Sequence, residues 1–140
     1  MDTVLIDTDV ILDFFFDREP FAEFATEILN RCEEKTINGF TTPVIVCNVY
    51  YLLRRTATHQ LIIEKIKQLL TIIEIVDMNK NVVLDALNSE FKDFEDALQN
   101  YSAVQNDQIN IILTRNIKDY KKSNLAVLTP ETYLKGKISI

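Results

Sequence analysis

Apolar and polar positions along the chain change period several times, and each change marks a boundary between a strand and a helix. Residues 4–6 (Val4, Leu5, Ile6) form a short apolar run rich in β-branched side chains, the pattern of a strand buried on both faces. It stops abruptly at Asp7-Thr8-Asp9. Residues 10–16 are strongly apolar and read as a helix, with Asp13 on a separate face, until Asp17-Arg18-Glu19-Pro20 breaks the run. Pro20 suits the first turn of a second helix. There Phe21, Phe24, Ala25, Ile28, Leu29 and Cys32 recur at helical spacing, opposite Glu23, Glu27, Arg31 and Glu34.

Asn38-Gly39 signals a turn or bend beside a strand at 39–41. Thr42 then caps, and Pro43 opens, a helix over 44–55. This helix is apolar almost all round, which predicts deep burial; Asn48 interrupts it. Thr58 caps a further amphipathic helix carrying Leu61, Ile62, Ile66, Leu69 and Leu70 on one side. A strand at 71–76 and a helix at 81–88 follow. Asp93 and Asp96 resemble a capping box at the head of a helix that runs through Tyr101 to Gln105, with Ala97, Leu98 and Tyr101 inward. A buried strand at 109–113 leads into the polar stretch Thr114 to Tyr120. After a solvated turn at 121–124, the last strand is 125–128, and Thr129-Pro130-Glu131 starts a short helix ending near Gly136. About five strands alternating with helices predict an α/β chain with a parallel sheet covered on both faces.

Length and composition narrow the class. The chain has 140 residues, 47% of them hydrophobic, enough for one domain over 1–140 with a proper core. No apolar run reaches membrane-spanning length and no signal-peptide order opens the chain, so the cytoplasm is the expected location. Cys32 and Cys47 lie in helical apolar patterns and read as buried small hydrophobes, not as a disulfide or a zinc site. With one histidine, His59, the available metal chemistry is that of a hard cation on oxygen ligands. The formal net charge of −6 argues against broad nucleic-acid binding, but not against a nuclease whose carboxylates gather around metal ions.

The acids give that possibility residues. Asp7 ends the first strand, where open α/β sheets place their ligands, and reads as functional; Asp9 reads as the cap of the next helix. Asp96 opens the helix before the fourth strand, and Asn116 and Asp119 follow that strand. If strands one and four are neighbours, these groups meet at the carboxyl edge of the sheet, with Thr8 and Thr114 as candidate lining. Asp93 and Glu95 equally suit plain stabilisation of a helix start. Converging carboxylates cannot all ionise cheaply unless a cation joins them. Mg²⁺ or Mn²⁺ is the natural partner, able to polarise a phosphodiester and generate hydroxide for attack. Asp7, Asp96 and Asp119 are thus the candidate catalytic acids, and Asp7, Asp96, Asn116 and Asp119 the candidate metal ligands.

Residues 4–13 (VLIDTDVILD), 94–99 (FEDALQ) and 113–120 (LTRNIKDY), in that order and spacing, resemble the PIN-domain family, whose commonest small members are the VapC-type toxin ribonucleases. The resemblance implies a three-layer α/β/α sandwich with a central, mostly parallel sheet. It also implies Mg²⁺- or Mn²⁺-dependent RNA cleavage, a homodimer and neutralisation by a small antitoxin. Asp7, Asp96 and the pair Asn116 and Asp119 match the family's polar positions. The family's usual Glu in the helix after strand two corresponds here to Asn48, which brings no charge. Glu95 is one way to compensate; a catalytically impaired module that binds RNA or protein is the competing reading, and a phosphatase or DNA nuclease a third. Arg115 and Lys118 are the candidate RNA contacts, with Arg54 and Arg55 behind them. The apolar excess over 44–70 fits either a dimer interface or core.

Overall fold

In the computed structural model, residues 1–138 are described, with side chains to residue 136. Five parallel strands, β1 (Thr3–Ile6), β2 (Asn38–Thr41), β3 (Glu74–Ile75), β4 (Ile111–Leu113) and β5 (Ala126–Leu128), form one sheet in the order β3-β2-β1-β4-β5. Seven helices appear among the described residues: α1 (Thr8–Phe15), α2 (Ala22–Glu33), α3 (Pro43–Leu53), α4 (His59–Leu69), α5 (Lys80–Leu87), α6 (Phe94–Gln105) and α7 (Pro130–Ile138). A 3-10 turn spans Ile117–Tyr120.

β1 is the centre of the sheet. Its register, Val4↔Ile111, Leu5↔Ile112 and Ile6↔Leu113, sets β4 directly beside it. Alternation then sorts the side chains. Val4, Ile6, Ile111 and Leu113 join the larger core with Val10, Ile11, Ile28, Ile45, Ile62 and Leu134, from the helices on that face. Leu5 and Ile112 point the other way, into a smaller core with Ala103, Ile109 and Tyr120. α5 and α6 close that side through Val82, Ala86, Ala97 and Leu98. The result is the expected three-layer α/β/α sandwich, in this case wholly parallel.

Several local expectations change. The expected strand at 39–41 starts one residue earlier, so that Asn38 belongs to it and is no turn; a Cβ on Gly39 would come within 2.6 Å of Cys32 Sγ and 2.8 Å of Ile73 Cγ2, so its lack of a side chain lets α2 and the chain after α4 press onto β2. β3 is two residues long, because residues 71–73 close the last turn of α4 through bonds from Thr71 N to Gln68 O and from Ile72 N and Ile73 N to Leu69 O. α3 is not deeply buried. Only Ile45, Val49 and Leu53 are, while Cys47 is exposed and Tyr51 is 65% exposed, so its outer face is apolar without being covered. Pro20 falls ahead of α2, and α7 runs past Gly136 to Ile138. Both cysteines are free; Cys32 is buried as expected, and burial pushes its thiol up to about 12.

Candidate functional site

The carboxyl edge of the sheet is where the acids meet. Asp7 continues the β1 ladder, its N–H donating to Leu113 O at 3.0 Å, and then serves as N-cap of α1: its Oδ1 accepts from Thr8 N at 2.8 Å. This reverses the expected division of labour, since Asp9 lies inside the first turn and is not the cap. Asp7 Oδ2 accepts from Thr114 Oγ1 at 3.0 Å, just past β4, and from Tyr120 Oη at 3.1 Å. Burial of Asp7 raises its pKa; these three hydrogen bonds work against the rise, and the charge of Glu95 adds to it.

Asp9 is the neighbour that sequence reasoning set aside. Its Oδ2 accepts from Arg115 N at 3.0 Å and from Thr114 Oγ1 at 3.4 Å. Burial first, then the charge of Asp7, pushes it up to about 6. One turn along α1, Asp13 is 1% exposed and takes a bidentate guanidinium from Arg115, Nε at 2.7 Å and Nη2 at 3.1 Å, with Arg18 Nη1 at 3.7 Å. Arg115 also lies over the Phe21 ring, 4.0 Å from its centroid. The guanidinium expected to meet RNA is therefore committed to α1, which changes the reading of that residue. The i, i+4 spacing of Asp9 and Asp13 was the sequence signal for a shared face.

α6 brings the second group. Asp93 caps it, Oδ1 accepting from Asp96 N at 2.9 Å, so the expected helix start is real. Asp96 is pushed up to about 7, by burial first and then by the charges of Asp93, Asp7, Asp119 and Glu95. Those charges reach Asp96 from β1, from α6 itself and from the 3-10 turn, so the three places converge. Asn116 and Asp119 are exposed on that turn, with Asn116 N donating to Thr114 Oγ1 at 3.1 Å. Asn48, on α3, donates from Nδ2 to Glu95 Oε1. The heads of α3 and α6 are tied by a buried bond from Thr42 Oγ1 to Gln99 Oε1 at 2.6 Å.

Among the described residues, no three Asp, Glu, His or Cys side chains are gathered tightly enough to hold a metal as they stand. The donor set still suits a hard cation. It is made of oxygens, it carries acids raised by burial and then by neighbouring acids, and it includes two buried oxygens without a partner among the described residues, Thr8 Oγ1 and Asp9 Oδ1. Beside it lies a hollow of about 250 Å³ lined by Lys92, Lys118, Lys121, Lys122, Asp93 and Asp119, among others. Lys121 and Lys122 had read only as a solvated turn. Arg54 and Arg55 lie at the far end of α3, where Arg54 donates to Ala57 O.

The profile of the PIN domain matches residues 3–118. The chain belongs to the PIN-domain family. Solved structures agree on the PIN fold. VapBC2 from Rickettsia felis, bound to a DNA fragment from its promoter, is 16% identical, with a TM-score of 0.67, over 90% of this chain and 96% of that one. A toxin–antitoxin complex from Klebsiella pneumoniae is 20% identical, with a TM-score of 0.66, over 91% and 97%. VapC20 of Mycobacterium tuberculosis, described as a sarcin–ricin loop cleaving toxin, is 12% identical, with a TM-score of 0.64, over 84% and 95%. No curated protein matches the sequence. Among the described residues no helix is long and apolar enough to cross a membrane.

Proposed function

We propose that this PIN-domain protein is a Mg²⁺- or Mn²⁺-dependent endoribonuclease, the toxin of a bacterial toxin–antitoxin pair acting in the cytoplasm. The observation that carries the reading is that Asp7, at the end of β1, and Asp96, in the first turn of α6, are both raised by burial, with the charge of Asp7 adding to the rise of Asp96. Neighbouring acids with raised pKa values are what a divalent ion relieves. Asp7, Asp96, Asn116 and Asp119 would hold the ion, which when bound polarises a phosphodiester and lowers the pKa of water. Thr8, Thr114 and Tyr120 orient Asp7. Lys118, with Lys92, Lys121 and Lys122, offers charge to the phosphate backbone, which positions RNA without reading its sequence. The toxin reading draws on similarity of fold to VapBC2, the Klebsiella complex and VapC20.

The test is cleavage of a defined RNA with Mn²⁺. Wild type cuts, while Asp7→Asn and Asp96→Asn each lose at least about 100-fold in rate. Cleavage by both variants in the presence of chelator refutes the reading. Arrays of DNA and small phosphoesters, run in parallel, separate it from other phosphodiester chemistries. Asn48 favours a second reading, a catalytically impaired RNA- or protein-binding module; wild-type cleavage in Mn²⁺ decides against it.

A homodimer is part of the same proposal. The outer face of α3 and the start of α4 leave Tyr51 65% and Leu61 44% exposed, a surface for a second copy. Tyr51→Glu then shifts the sedimentation of the protein from dimer to monomer; an unchanged wild-type monomer counts against this part. A small antitoxin is the expected second partner, and copurification with the product of an adjacent short reading frame tests it.

A further inference from the structure

Tyr120 is the largest of the fully buried side chains, yet the fold spends its hydroxyl on one carboxylate. The ring sits in the smaller core with Leu5, Ala103, Ile109 and Ile112, edge-on to Phe91 at 6.2 Å. Its Oη donates to Asp7 Oδ2 at 3.1 Å, across 113 residues of chain. Thr114 Oγ1 approaches the same oxygen at 3.0 Å, but it also lies 3.4 Å from Asp9 Oδ2. A hydroxyl has one proton, so Thr114 divides its donation between two acids. The proton of Tyr120 has no second carboxylate to serve among the bonds observed.

Each carboxylate oxygen accepts about two hydrogen bonds. Oδ2 of Asp7 takes the undivided proton of Tyr120 and a share of that of Thr114, while among the described residues Oδ1 holds Thr8 N. The more open oxygen is Oδ1. We propose that Tyr120 is a positioning residue which, by occupying Oδ2 from within the core, presents Asp7 to a divalent cation through Oδ1. This rests on the metal-dependent reading of the site and adds to it the atom through which Asp7 acts and the residue that selects it.

The experiment measures Mn²⁺ affinity of the full-length protein by electron paramagnetic resonance, with Tm recorded alongside. Tyr120→Phe removes only the hydroxyl. It binds Mn²⁺ about tenfold more weakly than wild type, because partners of a ligand orient it and sharpen its affinity. Its metal-free Tm falls by about 5–10 °C, the loss of one buried hydrogen bond, while Asp7 keeps Thr8 N and Thr114. Should the Phe variant fold poorly, 4-fluorophenylalanine at position 120 keeps the ring and its bulk while donating no proton, and gives the same loss. A folded variant that binds Mn²⁺ as tightly as wild type makes Tyr120 a packing residue and overturns the proposal while leaving the metal site intact. A wild type that binds no Mn²⁺ overturns both.

Discussion

Two aspartates on either side of the first turns of α1 show what burial alone does not determine. Asp13 is 1% exposed and Asp7 is 9% exposed. Asp13 has a bidentate Arg115 and a second cation, Arg18, at 3.7 Å. Among the described residues Asp7 has hydrogen-bond donors and further acids for company, and burial raises its pKa. The protein therefore completes one buried charge internally and leaves the other in need of a counter-ion. The first is architecture, fastening the chain after β4 to α1. The second is the proposed site, and the difference lies in which side of Asp9 the guanidinium was placed.

Breaking the completed pair has the larger expected effect on stability. Arg115→Met leaves Asp13 buried without its main partner, at a cost of about 3 kcal/mol, or a fall in Tm on the order of 10 °C by differential scanning calorimetry. An unchanged Tm would mean that Arg18 alone suffices for Asp13.

The uncompleted group responds with the opposite sign. Asp9 and Asp96 are raised from the ordinary 3.8 to about 6 and about 7. Such groups bind protons more tightly folded than unfolded, so their contribution is full below the unfolded value and is lost as pH rises through the folded ones. The metal-free protein is then more stable at about pH 5 than at about pH 8, with a Tm difference of about 3–6 °C. Asp96→Asn raises the Tm at the higher pH and shrinks the difference, and added Mn²⁺ does the same for wild type. A metal-free Tm that climbs from the lower to the higher pH would contradict this account of the site.

The smallest effect belongs to the rim. Lys118→Ala weakens RNA binding evenly across sequences and lowers the slope of log affinity against log salt by about one. Arg115, occupied by Asp13, contributes no such slope in a variant that keeps the fold. Filter binding over a salt series separates the two cations; an unaltered slope in Lys118→Ala removes that lysine from the RNA path.

Much of this was legible in local sequence. The caps Thr42, Thr58 and Asp93 stand where their side-chain chemistry put them, each accepting from a backbone N–H three residues on. The strands were found because apolar β-branched runs are a local signal, although β3 shortened where the turn closing α4 claimed its first residues. The outward face of α3 was misjudged because Cys47 and Tyr51 are as apolar as residues of a core, and apolarity alone does not say what covers a surface. Asp9 was misassigned because Asp7 and Asp9 both stood where a cap of α1 was possible, and Asp7 took it.

The order and spacing of VLIDTDVILD, FEDALQ and LTRNIKDY already determined the family and the strand–helix alternation, because periodicity, caps and motif spacing are encoded within a few residues of each other. The partnerships of the acids were decided only when β1 and β4 paired. That register joins Asp7 to Thr114 and Tyr120, and Asp13 to Arg115, across more than a hundred residues of chain. No local pattern distinguishes an aspartate that will find an arginine from one that will not, since the guanidinium arrives through tertiary packing.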